Sequence, residues 1–160
     1  MNEPRIHNAK HYQERGYVSV TDGDALKLIK DIAETFGIPL TGPGGIKRGF
    51  NWLGAAQCPR QPEVVIWWPA PANTTGGWGN QFSDDDMRVV ECNASHEKSR
   101  QHVEERIAEN RNRAVFKKEF KRGVGTYYRF VGLFRLNREE SLRLTKSVWD
   151  RISSVDRFSV

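Results

Sequence analysis

The stretch that most constrains this chain is Gly125-Thr126-Tyr127-Tyr128-Arg129-Phe130-Val131-Gly132-Leu133-Phe134-Arg135-Leu136. It is rich in aromatic and β-branched residues and follows a glycine-bearing turn, Lys121-Arg122-Gly123-Val124-Gly125, so it predicts a strand entered from a hairpin. Strict alternation sends Tyr128, Phe130, Gly132 and Phe134 to one face and Arg129, Val131, Leu133 and Arg135 to the other. A glycine inside such a strand weakens it unless a bulge or a closely approaching chain needs the missing side chain. Two arginines on the second face suit an anionic partner as well as an ordinary wet face.

Charge sharpens that choice. From Lys98 to Val160 there are sixteen Lys and Arg against eight Asp and Glu, a net of +8; with a total of +5, the first 97 residues carry −3. A basic C-terminal part and an isoelectric point near 9.4 are the footprint of a polyanion binder. At 160 residues the chain is read as one domain with a core of its own, residues 1–16 a lead-in and 137–160 a C-terminal helix and tail. Two cysteines make no disulfide framework, nothing reads as a signal peptide, and the apolar run Val64-Val65-Ile66-Trp67-Trp68 is too short to cross a bilayer. The expectation is a cytoplasmic protein, nucleoid-associated if prokaryotic, with no membrane partner.

In order along the chain, Tyr17 to Val20 predicts a short strand. Thr21 then reads as an N-cap, with Asp22 and Asp24 in the first turn of a helix carrying Ala25, Ile29, Ile32, Ala33 and Phe36 on one stripe and ending at Gly37. Thr41 to Gly45 is a flexible loop followed by the paired charges Lys47 and Arg48, without Walker spacing. Glu63 to Trp68 is a buried strand, and Met87 to Cys92 another. Ser95 caps a helix to about Asn110, Ala114 to Phe120 is a strand, Ser141 to Ile152 a short helix, and the tail closes with an edge strand.

Trp78 draws attention because glycines and amides surround it (Gly76-Gly77-Trp78-Gly79-Asn80-Gln81). A base swung out of a duplex needs a π face to stack on and amide or carboxylate groups for its Watson–Crick edge, and Trp78 with Asn80 and Gln81 supplies both; a lid over a hydrophobic edge is the plainer alternative. Asp84-Asp85-Asp86 reads as a solvated acidic turn rather than a metal site, and His96 and His102, six apart, do not share a helical face for zinc. Asp86 and Glu91 fail as a nuclease core because Asn93 stands where lysine is needed. No metal and no cofactor are expected.

These motifs resemble, in order, those of the SRA (YDG) domains of the PUA-like superfamily. Tyr128-Arg129-Phe130-Val131-Gly132-Leu133-Phe134 is similar to that family's Tyr-Arg-Tyr-Asp-Gly-Leu-Tyr signature, with Val131 in place of Asp. Gly45-Ile46-Lys47-Arg48 resembles its Gly-x-His/Lys-Arg segment, Gly76-Gly77-Trp78 its Gly-Gly-Tyr-Glu-Asp-Asp pocket loop, and Asn112-Arg113-Ala114 its Asn-x-Ala-Leu approach to a strand. The resemblance implies an α+β fold with a curved, mostly antiparallel sheet approaching a barrel and helices outside. It implies a reader of modified bases such as 5-methylcytosine in double-stranded DNA, acting by base flipping as the specificity module of a restriction or defence system beside a separate or fused nuclease. The pocket would comprise Gly77, Trp78, Asn80, Gln81, Tyr128 and Phe130; Trp78 falls at the stacking tyrosine and the amides of Asn80 and Gln81 at the acidic pair, which leaves the base preference open. Lys47, Arg48, Arg111, Arg113, Lys117, Lys118, Lys121, Arg122 and Arg129 would meet the DNA backbone. Two other readings remain: a PUA/ASCH-like RNA binder, and a small nucleotide-acting enzyme built on Cys92, Glu91 and His96; no residue set points to catalysis.

Overall fold

The structure, a computed structural model, describes residues 3–40, 55–59, 61–69 and 75–158. Its elements run β1 (Arg5–Ile6), α1 (Ala9–Arg15), β2 (Tyr17–Ser19), β3 (Asp24–Leu26), α2 (Ile29–Phe36), β4 (Ala55–Cys58), β5 (Gln61–Trp67), β6 (Trp78–Phe82), β7 (Arg88–Asn93), α3 (His96–Glu109), β8 (Asn112–Lys121), β9 (Gly125–Leu136), α4 (Arg138–Leu144), β10 (Ser147–Ser153) and β11 (Val155–Arg157). The main sheet has the order β4-β5-β8-β9-β10-β7-β6, with β3 also on β9 and β1 on β3. Its pairs are antiparallel except β5–β8 and β1–β3. Among the described residues β4 and β6 do not pair, so the sheet approaches a barrel without closing.

Each face carries a core. Tyr12, Ile32, Ala33 and Phe36 of α1 and α2 cover one face, meeting Ile66, Trp68, Phe116, Tyr128 and Phe130. The opposite face gathers Trp67, Val89, Val115, Val131, Phe134 and Trp149, flanked by Phe82 and Leu136. Adjacent Trp67 and Trp68 thus serve opposite faces, as alternation requires.

Gly132 explains how β9 feeds both cores. The register to β8 slips between Val115–Gly132 and Phe116–Phe130, leaving one extra residue on β9. That bulge breaks the strict alternation: Phe130 faces the helix-covered core and Phe134 the other, not the same side. Gly132 has φ 130°, and a Cβ there would overlap the Arg151 Cδ and come within 3.0 Å of the Ser153 carbonyl oxygen. Gly132→Ala is therefore expected to cost about 2 kcal/mol or more in chemical denaturation; a variant as stable as the parent would show that the bulge tolerates a side chain.

Three sequence expectations need correcting. Within the expected lead-in, residues 1–16, lie β1 and α1, and the strand expected from Tyr17 is present as β2, but Thr21 starts no helix. Tyr12 Oη lies 2.9 and 2.8 Å from the Arg5 and Ala25 carbonyl oxygens, either of which can take its one proton, and Asp24 accepts the Ser19 amide at 2.7 Å while pairing with Arg15. Asp24 is consequently a buried strand residue, and the helix begins at Ile29. The C-terminal helix lies earlier: Asn137 Oδ1 caps it by accepting the Glu140 amide at 3.0 Å, and Thr145 ends it. Trp149 instead sits in β10, clamped between β9 and β7, where sheet pairing overrides a helical spacing. Trp78, expected on a loop, opens β6.

Candidate nucleic-acid interface

Two glycines place Trp78. Gly76 and Gly77 have φ 80° and 81°, a conformation that suits residues without a Cβ. The buried Asn93 holds that turn: its side-chain amide donates to the Gly76 carbonyl at 2.8 Å, and its Oδ1 accepts the Ser95 amide at 2.8 Å. The chain leaves the turn in register with β7, pairing Trp78 with Asn93, Asn80 with Glu91 and Phe82 with Val89. Since Phe82 and Val89 belong to the core away from α1 and α2, Trp78, Asn80 and Glu91 project from that face too. Gln81, paired with Val90, lies on the other face, so Asn80 and Gln81 do not meet one base edge together.

The half-buried Trp78 indole packs on the His102 ring, 4.8 Å between centroids and tilted 59°. His102 Nδ1 lies 2.9 Å from Ser147 Oγ, and burial lowers its pKa below 6.5 despite the nearby Glu91 carboxylate, leaving a neutral ring at pH 7. Glu91 Oε1 is a hub: Trp149 Nε1 donates to it at 3.3 Å, an Arg113 Nη1 lies at 3.4 Å and His102 Nε2 at 3.7 Å. Arg113 itself is only 3% exposed, its guanidinium carbon 4.4 Å from the Trp67 ring centre and 4.1 Å from that of Trp149. The face thus offers an indole, an amide, a carboxylate whose Oε2 no described group engages, and a buried cation beneath them.

Of the sequence candidates, Trp78, Asn80 and Gly77 come together. Tyr128 and Phe130 do not: they lie in the helix-covered core, Phe130 fully buried against Phe116, which in turn meets Phe36, so neither lines a pocket beside Trp78. Arg113 is likewise no phosphate contact, because two indoles sequester it. Lys117 pairs with Asp86 at 2.8 Å, Arg129 with Asp86 at 2.7 Å and Glu119 at 2.6 Å, and Lys121 with Glu3. These cations are neutralised within the molecule, Lys117 and the Arg129 opposite it about 13 Å along β8 from Arg113 by strand rise, and Lys121 about 25 Å. Lys118, Arg122 and Arg111 make no ion pair among the described residues. Lys47 and Arg48 lie outside them. The Asp84–Asp86 turn is structural: Asp85 accepts from Ser83 Oγ and the Met87 amide at 2.7 and 3.0 Å, while Asp86 holds Lys117 and Arg129.

Sequence reasoning missed Glu91, His102, Trp67 and Trp149 as one constellation. The only signal for it was the strand Met87–Cys92, which puts Glu91 opposite the amide strand once the hairpin is paired. Among the described residues no three His, Cys, Asp or Glu side chains converge as metal ligands, and no helix is long and apolar enough to cross a membrane.

Comparison with known proteins bears on the family and the fold. A family model described as the SET and RING associated domain matches residues 11–158. No curated protein matches the chain. Among solved structures, the 5-hydroxymethylcytosine-specific restriction enzyme AbaSI is similar at 22% identity and a TM-score of 0.71, the match covering 95% of this chain and 45% of that one. The likeness is one of fold, and the present chain spans less than half that enzyme's length.

Proposed function

The chain belongs to the SET and RING associated (SRA) domain family, and from that premise we propose that it binds double-stranded DNA and reads a modified base. The base swings out of the duplex and stacks on Trp78, with Asn80 and Glu91 meeting its polar edge. The carrying observation is that indole, amide and carboxylate project from one face of the β6–β7 pair, with Glu91 Oε2 engaged by no described group. A carboxylate accepts from an exocyclic amino group such as cytosine N4, and an amide donates to N3 or the O2 carbonyl on the same edge. A cytosine bearing a 5-substituent satisfies both, so methylated and hydroxymethylated cytosines are the proposed ligands. The working context is a modification-dependent restriction or defence system, this chain supplying specificity and a separate or fused nuclease the cutting.

A binding panel of methylated, hydroxymethylated and unmodified duplexes tests this, with RNA as competitor. The modified duplex binds more tightly in the native protein. In Trp78→Ala the preference disappears, since base–aromatic stacking contributes about 1–3 kcal/mol, roughly five- to hundredfold in affinity. Equal affinity of the native protein for modified and plain duplexes, or preferential capture by RNA, overturns the reading. A 2-aminopurine beside the modified base should brighten on binding as stacking is lost.

A further inference from the structure

At the end of the sheet nearest Trp78, the start of β8, the end of β9, the C-terminus of α3 and the start of α4 enclose a cleft of about 310 Å³. Four arginines line it, Arg106, Arg111, Arg135 and Arg138, together with Asn110 and Asn112. Arg106 is answered within the fold by Glu109 at 3.0 Å and Glu105 at 3.7 Å. The other three guanidinium groups have no ion pair and no hydrogen bond among the described residues. Arg15, Arg88, Arg100, Arg113, Arg129 and Arg143 each meet a carboxylate; Arg5, Arg122 and Arg157 also lack one among the described residues, so what marks Arg111, Arg135 and Arg138 is their convergence on one cleft. Three unanswered guanidinium groups around one small concavity repel one another, a cost that an anion between them removes.

We propose that this cleft is a phosphate clamp, holding the DNA backbone beside the nucleotide received at Trp78. Its position is set by α3. Arg106 lies one helical turn beyond His102, about 6 Å along the axis, and the His102 ring packs on Trp78. The C-cap Asn110, at φ 49°, turns the chain so that Arg111 leads directly into Asn112 and the buried Arg113. The clamp therefore opens within roughly 10–15 Å of the indole, a span that covers several phosphates of one strand. Planar guanidinium forks suit paired phosphate oxygens, and the two asparagines add neutral donors. The clamp contributes affinity and orientation and carries no base information.

The clamp rests on the DNA-reading proposal, and the test separates the two. Fluorescence anisotropy is measured with modified and plain duplexes from low to moderate salt, for the native protein, for Arg111→Gln/Arg135→Gln/Arg138→Gln, and for Lys118→Gln/Arg122→Gln at the opposite end. The triple variant, whose melting curve checks folding, binds both duplexes roughly tenfold or more weakly. Its salt slope is shallower by about one per arginine in contact, and the modified-to-plain ratio is retained. The Lys118/Arg122 variant changes the slope less. An unchanged slope in the triple variant, with the modified-base preference intact, overturns the clamp and spares the reading. Loss of affinity and slope without any modified-base preference in the native protein supports the clamp and overturns the reading.

Discussion

Glu91→Ala is expected to cost about 3–5 kcal/mol of folding stability, the range found when one partner of a buried charge pair is removed. The cause lies with Arg113. Its guanidinium is wedged between Trp67 and Trp149 at 3% exposure, its Nε has no partner, and Glu91 is the one carboxylate in contact with it among the described residues. Removing Glu91 strands that charge in an apolar slot and also takes the acceptor from Trp149 Nε1. For a domain of this size each kcal/mol moves the melting temperature by roughly 2–4 °C, so a fall on the order of 10 °C should be seen. The double variant Glu91→Leu/Arg113→Met recovers most of the loss, because replacing both partners by apolar groups of similar volume removes the stranded charge. If Glu91→Ala melts with the parent, Arg113 does not depend on Glu91. The double variant has a second use: a folded protein that binds duplex DNA but no longer prefers the modified base separates the carboxylate's part in recognition from its part in the fold.

How much of this is legible in the sequence depends on whether the deciding interaction is local. The α3 helix is readable because Ser95 and Asn110, its two caps, act within one turn of its ends. The β8–β9 hairpin is readable from its glycine turn and alternating aromatics. Asp24 is not, because Thr21-Asp22-Gly23-Asp24 makes as good a helix start as it does a turn. What decides for the strand is Arg15, at the end of α1, and the Ser19 amide, at the end of β2. Trp149 sits in a pattern that serves a helix or a strand equally, and β7 and β9 settle it. At the site, Trp78 is conspicuous for its glycine neighbours, which is a local signal. The constellation beneath it draws on β5, β7, α3, β8 and β10, so no spacing reveals it. The basic residues show the same limit: Arg113 and Arg129 count alike in a charge tally, yet indoles bury one and two carboxylates neutralise the other.

The pH dependence of stability should be governed in large part by Asp156. This residue sits in β11 opposite Val18 of β2, 3% exposed, and no described group donates a hydrogen bond to its carboxylate. Burial raises its pKa from 3.8 to about 7. The native state therefore keeps a proton that the unfolded chain releases near pH 4, and the stability associated with that proton is fully present below pH 4 and lost as pH rises toward 7. With 1.36 kcal/mol per unit, the loss is on the order of 4 kcal/mol, complete above pH 7. The strand it loosens matters to the fold, since β11 ties the tail to β2 and brings Phe158 to 4.8 Å from Phe36 in the helix-covered core. Asp156→Asn keeps the shape and removes the ionisation. Urea denaturation at pH 4.0, 6.0 and 8.0 should find the variant close to the parent at the lowest pH and progressively more stable than it as pH rises, by several kcal/mol at pH 8. Other groups titrate in both proteins and cancel in the difference. A difference that stays constant from pH 4 to pH 8 would mean that the Asp156 carboxylate is ionised in the folded protein throughout, stabilised by solvent or by a donor that this packing does not supply.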